Sequence, residues 1–157
     1  MKLLAAKLSR HLIALSLACA LAPAFANMGV EEAASVTEPN FVAGQKALEA
    51  KDYKTALAAL KKALDVDKNN PDVHNYLGYS YRNLGDYDSA FKHYEQALLL
   101  SPGHKAAHEY IGEAYLMKND VAKAEMHLNK LRELCMTGCS EMSLLKEKID
   151  AFKKKKS

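Results

Sequence analysis

The first 26 residues contain no acidic side chain, and no apolar run in the chain approaches the roughly 20 residues that a membrane-spanning helix needs. Several catalytic signatures are missing as well. There is no Gly-rich phosphate loop, no Gly-x-Ser-x-Gly elbow, no paired His helix with an intervening Glu, and no Ser, His and Asp series that points to a triad. No enzyme, cofactor or metal is expected on that basis. Glycine is scarce, with seven in 157 residues, and those present serve largely as repeat and turn positions. The absent acids also distort the charge count. Lys+Arg number 22 and Asp+Glu 19, but Lys2, Lys7 and Arg10 stand in the acid-free segment, so residues 27–157 balance at 19 of each sign. The net +3 therefore says nothing about nucleic acid, and no nucleic-acid partner is expected.

What is present reads as an ordinary globular composition. Hydrophobic residues make up 49% and charged residues 26%, which excludes wholesale disorder and a collagen-like fibre. The acid-free start places its three bases before an apolar stretch, His11 to Ala22, followed by Pro23 and the small-x-small triplet Ala24-Phe25-Ala26. This is the tripartite pattern of a secretory signal peptide cut after Ala26. Two other readings of the segment are an amphipathic helix packed on the domain and a lipoprotein modified at Cys19. The first lacks a polar face; the second has Leu17-Ala18-Cys19 but Ser16 where a Leu is usual. The small-residue cleavage site has a bacterial look, so the expected address is the periplasm.

Beyond the leader the chain repeats itself. Gly44, Gly78 and Gly112 are 34 residues apart, and Asp52, Asp86 and Asp120 keep the same spacing, as do Ala56, Ala90 and Ala124. Tyr53, Tyr87 and Val121 share a register, and so do Leu60, Tyr94 and Leu128. A fixed period of this length is the mark of a stacked repeat architecture. Gly85-Asp86 interrupts the helical pattern, Pro71 suits a helix first turn, and Gly78 with Ala90 lets two helices approach closely. Helix pairs are expected at 38–50/53–66, 71–84/87–100 and 105–117/121–134. A seventh helix is expected after Ser140, with Met142, Leu145, Ile149 and Phe152 on one face.

On these residues the chain resembles the tetratricopeptide repeat family over residues 37–138. The best copy carries Leu77-Gly78, Tyr81, Ala90, Tyr94, Ala97 and Pro102. The outer copies depart from the pattern: Ala47 replaces the usual Tyr in the first, and the third has Asn119 for the turn Gly and Leu131 for Ala. The resemblance implies an all-α, right-handed α-solenoid of three helix-turn-helix repeats plus a C-terminal capping helix. The expected divisions are residues 1–26 (signal peptide), 27–36 (flexible leader), 37–70, 71–104 and 105–138 (repeats), and 139–157 (capping helix with basic tail).

The family binds its ligands in the concave groove lined by the first helix of each pair. Carried over residue by residue, the exposed groove positions here are Phe41, Gln45 and Glu49, then Asn75, Tyr79, Arg82 and Asn83, then Glu109, Glu113 and Met117. Carboxylate-clamp members use Lys, Asn and Arg at these places. This chain has Phe41 and Glu109 where clamp Lys would stand and Tyr79 in place of Asn, so that ligand class is not expected. A peptide or helix of mixed or basic charge suits it better. The function implied is a non-catalytic periplasmic scaffold or adaptor for a protein or peptide partner.

Cys135 and Cys139 survive leader removal and bracket the turn before the last helix. In an oxidising compartment a local pair is most simply a disulfide. The competing readings are thiol exchange, whose Cys-x-x-Cys spacing is not met, and a soft-metal site with Met126, His127, Met136 and Met142. A copper-handling or thiol-redox accessory is thus the second functional class. His74, His93, His104, His108 and His127 read as surface or groove histidines. Lys153, Lys154, Lys155 and Lys156 read as a solvated tail, the remaining route to membrane contact if Cys19 carries no lipid.

Overall fold

The computed structural model describes residues 38–156, which form seven helices and no strand. They are α1 (Pro39–Glu49), α2 (Tyr53–Val66), α3 (Pro71–Asn83), α4 (Tyr87–Leu100), α5 (Lys105–Met117), α6 (Val121–Leu134) and α7 (Ser140–Lys156). The signal-peptide and leader expectations, and Cys19, lie outside the described residues.

The 34-residue register is a repeat of backbone chemistry. Asp52, Asp86 and Asp120 cap α2, α4 and α6, each side chain accepting from the N–H three residues on, at Thr55, Ser89 and Lys123. The same three Asp residues close the helices before them. Their backbone N–H groups donate to Ala47, Tyr81 and Tyr115 carbonyls at 2.8, 3.0 and 2.9 Å, the closing bond of a Schellman motif. That motif needs a left-handed residue just before the Asp. Gly85 supplies it at φ 85°, but Lys51 and Asn119 also adopt it, at 57° and 61°. Pro39 and Pro71 start α1 and α3 in the first turn, behind Glu38 and Asn70 as caps.

Within a pair, glycine sets how close the helices come. A β-carbon on Gly44 would lie 2.7 Å from Leu60, and one on Gly78 would lie 2.6 Å from the Tyr94 ring. The third repeat breaks this rule. The side chain against Gly112 is Leu145 of α7, also 2.7 Å from a hypothetical β-carbon, so the last helix occupies the close-packed place. Leu145 and Ile149 are buried with Leu116, Leu128 and Leu131, and Met142 and Phe152 pack beside them, the face expected from the sequence.

The stack curves for a simple reason. Consecutive first helices touch, α1 on α3, α3 on α5 and α5 on α7, whereas α2 does not reach α4 and α4 does not reach α6. The first helices therefore form the inner row and the second helices a splayed outer row. The structure is an all-α helical-repeat solenoid.

At the C-terminus the expected disulfide is present and the expectation for the tail changes. Cys135 and Cys139 are bonded to each other across the turn before α7, with Cα atoms 5.7 Å apart. The lysine tail, expected to fray beyond the capping helix, is helical to Lys156. Lys153 pairs with Glu125 of α6 and Lys156 sits 4.9 Å over the Phe152 ring, so the tail is held by side-chain contacts.

Candidate partner-binding groove

The inner row carries an aromatic stripe built at the repeat period. Tyr76 and Tyr110 are 34 residues apart, and Tyr79 lies one turn along α3. Phe41 meets Tyr76 at 5.7 Å between ring centroids, Tyr53 meets Tyr79 at 6.0 Å, and Tyr79 meets Tyr110 at 4.9 Å. Beside the last two rings lies Arg82, whose guanidinium is 5.0 Å from Tyr79 and 5.5 Å from Tyr110. Both contacts fall within cation–π range.

Arg82 also pairs with Glu113 of α5, and Glu113 pairs in turn with Lys148 of α7. The three side chains form an ion ladder across three successive inner helices. Its middle member is buried, and so is Arg82. Beside it stands Glu109, buried on the same α5 face. Burial, and then the neighbouring Glu113 charge, raise the Glu109 carboxyl to about 7.

These positions revise the groove expected from the sequence. Tyr79, Arg82 and Glu113 come together as one cluster, with Glu109 next to it. Gln45 and Glu49 line a small cavity of about 130 Å³ with Leu48 and Tyr76, between α1 and α3. Five of the ten positions expected to be exposed are not: Phe41, Asn75, Arg82, Glu109 and Glu113 are 1–6% accessible. Phe41 turns into the first core with Ala47, Leu60 and Leu77. Glu109 and Glu113 are covered because α7 packs directly on α5, which a sequence reading of α5 alone does not reveal. Asn83 is exposed but its amide donates to the Tyr79 carbonyl at 2.8 Å, and Met117 is exposed at 53% beyond the cluster.

Sequence reasoning missed Tyr76, Tyr110 and Lys148. The shared register of Tyr76 and Tyr110 was a usable signal; nothing in the sequence pairs Lys148 with Glu113. The face also keeps unmet hydrogen-bonding capacity. Asn75 Oδ1, the Arg82 Nε–H and the Tyr94 hydroxyl are buried without a hydrogen-bond partner among the described residues, which is unusual for native proteins.

The sulfur atoms of Cys135 and Cys139 are bonded to each other, so in this state they offer no thiolate to a soft metal. The histidines differ from their expected surface or groove placement. His74, His108 and His127 are buried at 7–8% accessibility, away from the aromatic stripe. His104 caps α5, accepting from the Ala107 N–H, and its other ring nitrogen is 3.0 Å from Asp72 of α3.

Comparisons with known proteins agree with the repeat. A family profile described as tetratricopeptide repeat matches residues 71–104, and one described as TPR repeat matches residues 44–85. No curated protein matches the chain in sequence. Among solved structures, the Yersinia enterocolitica type III secretion translocator chaperone SycD is similar with a TM-score of 0.68 at 21% identity, over 81% of this chain and 98% of that one. The first TPR of Spaghetti (RPAP3), bound to the HSP90 peptide SRMEEVD, gives 0.65 at 20% identity, over 74% and 90%. MamA gives 0.56 at 26% identity over 60% of this chain, which spans 56% of the MamA chain.

Proposed function

Because the chain is built of tetratricopeptide repeats, we propose that it is a non-catalytic scaffold that holds a protein or peptide partner against its inner row of helices. The observation that carries this reading is the inner-row stripe of Tyr79 and Tyr110 backed by Arg82. Aromatic rings and Arg are the residue types that anchor partners most strongly, and the half-buried Tyr79 and Tyr110 present their rings on this row. RPAP3, of the same fold, is bound to a peptide; at 20% identity that supports the fold's suitability, and the residues named here carry the rest.

The partner chemistry follows from the charges. Arg82 is already matched by Glu113, while the exposed Glu49 adds acid along the row. A segment of mixed or basic charge fits, and an acidic C-terminus does not. The proposed workplace is the periplasm, after removal of residues 1–26. That address is supported by the basic, apolar and small-residue pattern of the leader. A first residue of Asn27 in the secreted protein would establish the cut, whereas a lipid on Cys19 would instead make the chain a tethered assembly factor.

A photo-crosslinking amino acid tests the binding face. Placed at Gln45 or Tyr79 on the inner row it captures the partner; placed at Lys62 on the outer row it does not. Equal capture from both rows, or capture from the outer row alone, would overturn the reading. Tyr79→Ala is the right companion substitution because Tyr79 is half-buried, whereas replacing Arg82 strands Glu113 and confounds binding with stability.

A further inference from the structure

The splayed outer row leaves two clefts, one between α2 and α4 and one between α4 and α6. They are the same feature a repeat apart. Leu64, Lys68, His74 and His93 line the first, and Leu98, Pro102, His108 and His127 line the second at 34-residue offsets. Each floor is a histidine pair joined head-on, Nδ1 to Nδ1, at 3.1 Å between His74 and His93 and 2.9 Å between His108 and His127. The first ring of each pair turns its Nε2 to a backbone carbonyl, of Lys68 or of Pro102. A carbonyl only accepts, so that Nε2 carries the proton and the second ring donates the bridging Nδ1–H. The two floors therefore share one hydrogen-bonding pattern.

The walls differ in charge although the shape repeats. Lys68 and Lys92 line the first cleft, with Asp65 as the acid beside them. Lys61 stands 5.5 Å over the Tyr81 ring, which stacks on His93. All three lysines are exposed, and none forms an ion pair among the described residues. Burial first, and then His74, Lys92 and Lys61, hold His93 down at about 4, so the floor is neutral and the lysine charge reaches it. One repeat further on, the places of Lys61, Lys68 and Lys92 hold Glu95, Pro102 and Met126. There Lys130 is paired with Glu133 and Glu125 with Lys153. His127 is lowered by burial and by His108, without a lysine.

From this contrast we propose that the α2–α4 cleft is a second docking site, which takes an extended acidic segment of a partner protein between Lys61, Lys68 and Lys92. The cleft measures about 320 Å³, room for a few side chains and not for a folded surface. Lys61 and Lys68 are seven residues apart, about 10 Å of helix rise. That spread suits several carboxylates along an extended chain better than a single small anion. Leu64 and the histidine rings give an apolar wall for side chains between the acids.

The site is independent of the inner row, and its preference is the opposite one. The inner row suits mixed or basic charge, whereas this cleft holds lysines without counter-ions. Charge of this kind selects the partner and speeds its arrival more than it tightens the complex. The α4–α6 cleft, of the same build but with its charges matched, is the control that the molecule itself supplies.

The test is titration of the ¹⁵N-labelled full chain with a short fluorescein-labelled peptide of Glu-Glu-Leu repeats, its Gln-Gln-Leu counterpart serving as control. Binding is read by anisotropy and by imidazole NMR. The acidic peptide binds and the amide peptide does not, and the His93 ring signals move while those of His127 stay. Lys61→Glu weakens binding about fivefold, and Lys61→Glu with Lys92→Met about tenfold or more, at low salt. Lys62→Glu, a neighbour that does not line the cleft, has no such effect. All three positions are exposed, so the variants fold. Glu95→Lys with Met126→Lys makes His127 respond as well. Equal weakening by Lys61→Glu and Lys62→Glu, or equal movement of His93 and His127 in the wild type, would overturn the site. So would displacement of the peptide by inorganic phosphate at constant ionic strength, which marks a small-anion site. Tyr79→Ala leaves peptide binding unchanged; its loss would place the acidic peptide on the inner row and overturn the outer site.

Discussion

At the residue scale, the 34-residue register imposes a backbone requirement that only one copy meets with the best residue. Lys51, Gly85 and Asn119 hold the same left-handed place, where a side chain costs about 1–2 kcal/mol for most residues and less for Asn. Lys51→Gly is therefore expected to raise the unfolding free energy by about 0.5–1 kcal/mol in a denaturant titration, and Asn119→Gly by less. Glycine at position 78 answers a different need. With Tyr94 2.6 Å from any added β-carbon, Gly78→Ala forces the helices apart and costs about 1–3 kcal/mol by the same measurement. Glu109 gives a pH-dependent case. Its folded carboxyl titrates near 7, above the usual 4.5, so between those values the folded chain holds the extra proton and stability falls as pH rises. Thermal melts of wild type and Glu109→Gln are thus expected to run together below pH 4.5 and diverge through pH 7, with the variant the more stable at pH 8.

At the scale of elements, α7 departs most from a simple repeat. It follows α6 as a further first helix would, yet it puts Leu145 against Gly112 and Lys148 on Glu113. The Cys135–Cys139 bond closes a loop too short to constrain the unfolded chain strongly, worth about 2 kcal/mol by the loop-entropy estimate. Its effect belongs mainly to α7. Reduction is expected to speed amide exchange along α7 while α1 to α4 stay protected, as hydrogen-exchange mass spectrometry would register. The inner ion ladder behaves differently. Arg82→Ala leaves Glu113 buried beside only Lys148 and is expected to cost about 3–5 kcal/mol in chemical denaturation, whereas replacing Arg82 and Glu113 together with Met costs much less.

For the whole molecule, two faces follow from one packing rule. First helices touch each other and second helices do not, so the inner row gathers aromatic and charged side chains while the outer row opens into clefts floored by histidines. The proposed partner face thus lies on the inner row and the histidine-floored clefts on the outer row of the same stack.

The sequence by itself determined the helices, the turns and the repeat. Asp caps, Pro at first turns and the close contacts of Gly44 and Gly78 act within a single helix pair, so a period of 34 residues was enough to read them. It also held the paired histidines in plain register, His74 with His108 and His93 with His127, although the spacing alone did not show that the rings meet. Only the tertiary structure decided which inner-row residues remain accessible. Burial of Glu109, Glu113 and Arg82 depends on α7 packing across α5 and on side chains 31 and 35 residues apart pairing with one another. Those contacts join different repeats and the capping helix, and no single repeat carries the pattern that forms them.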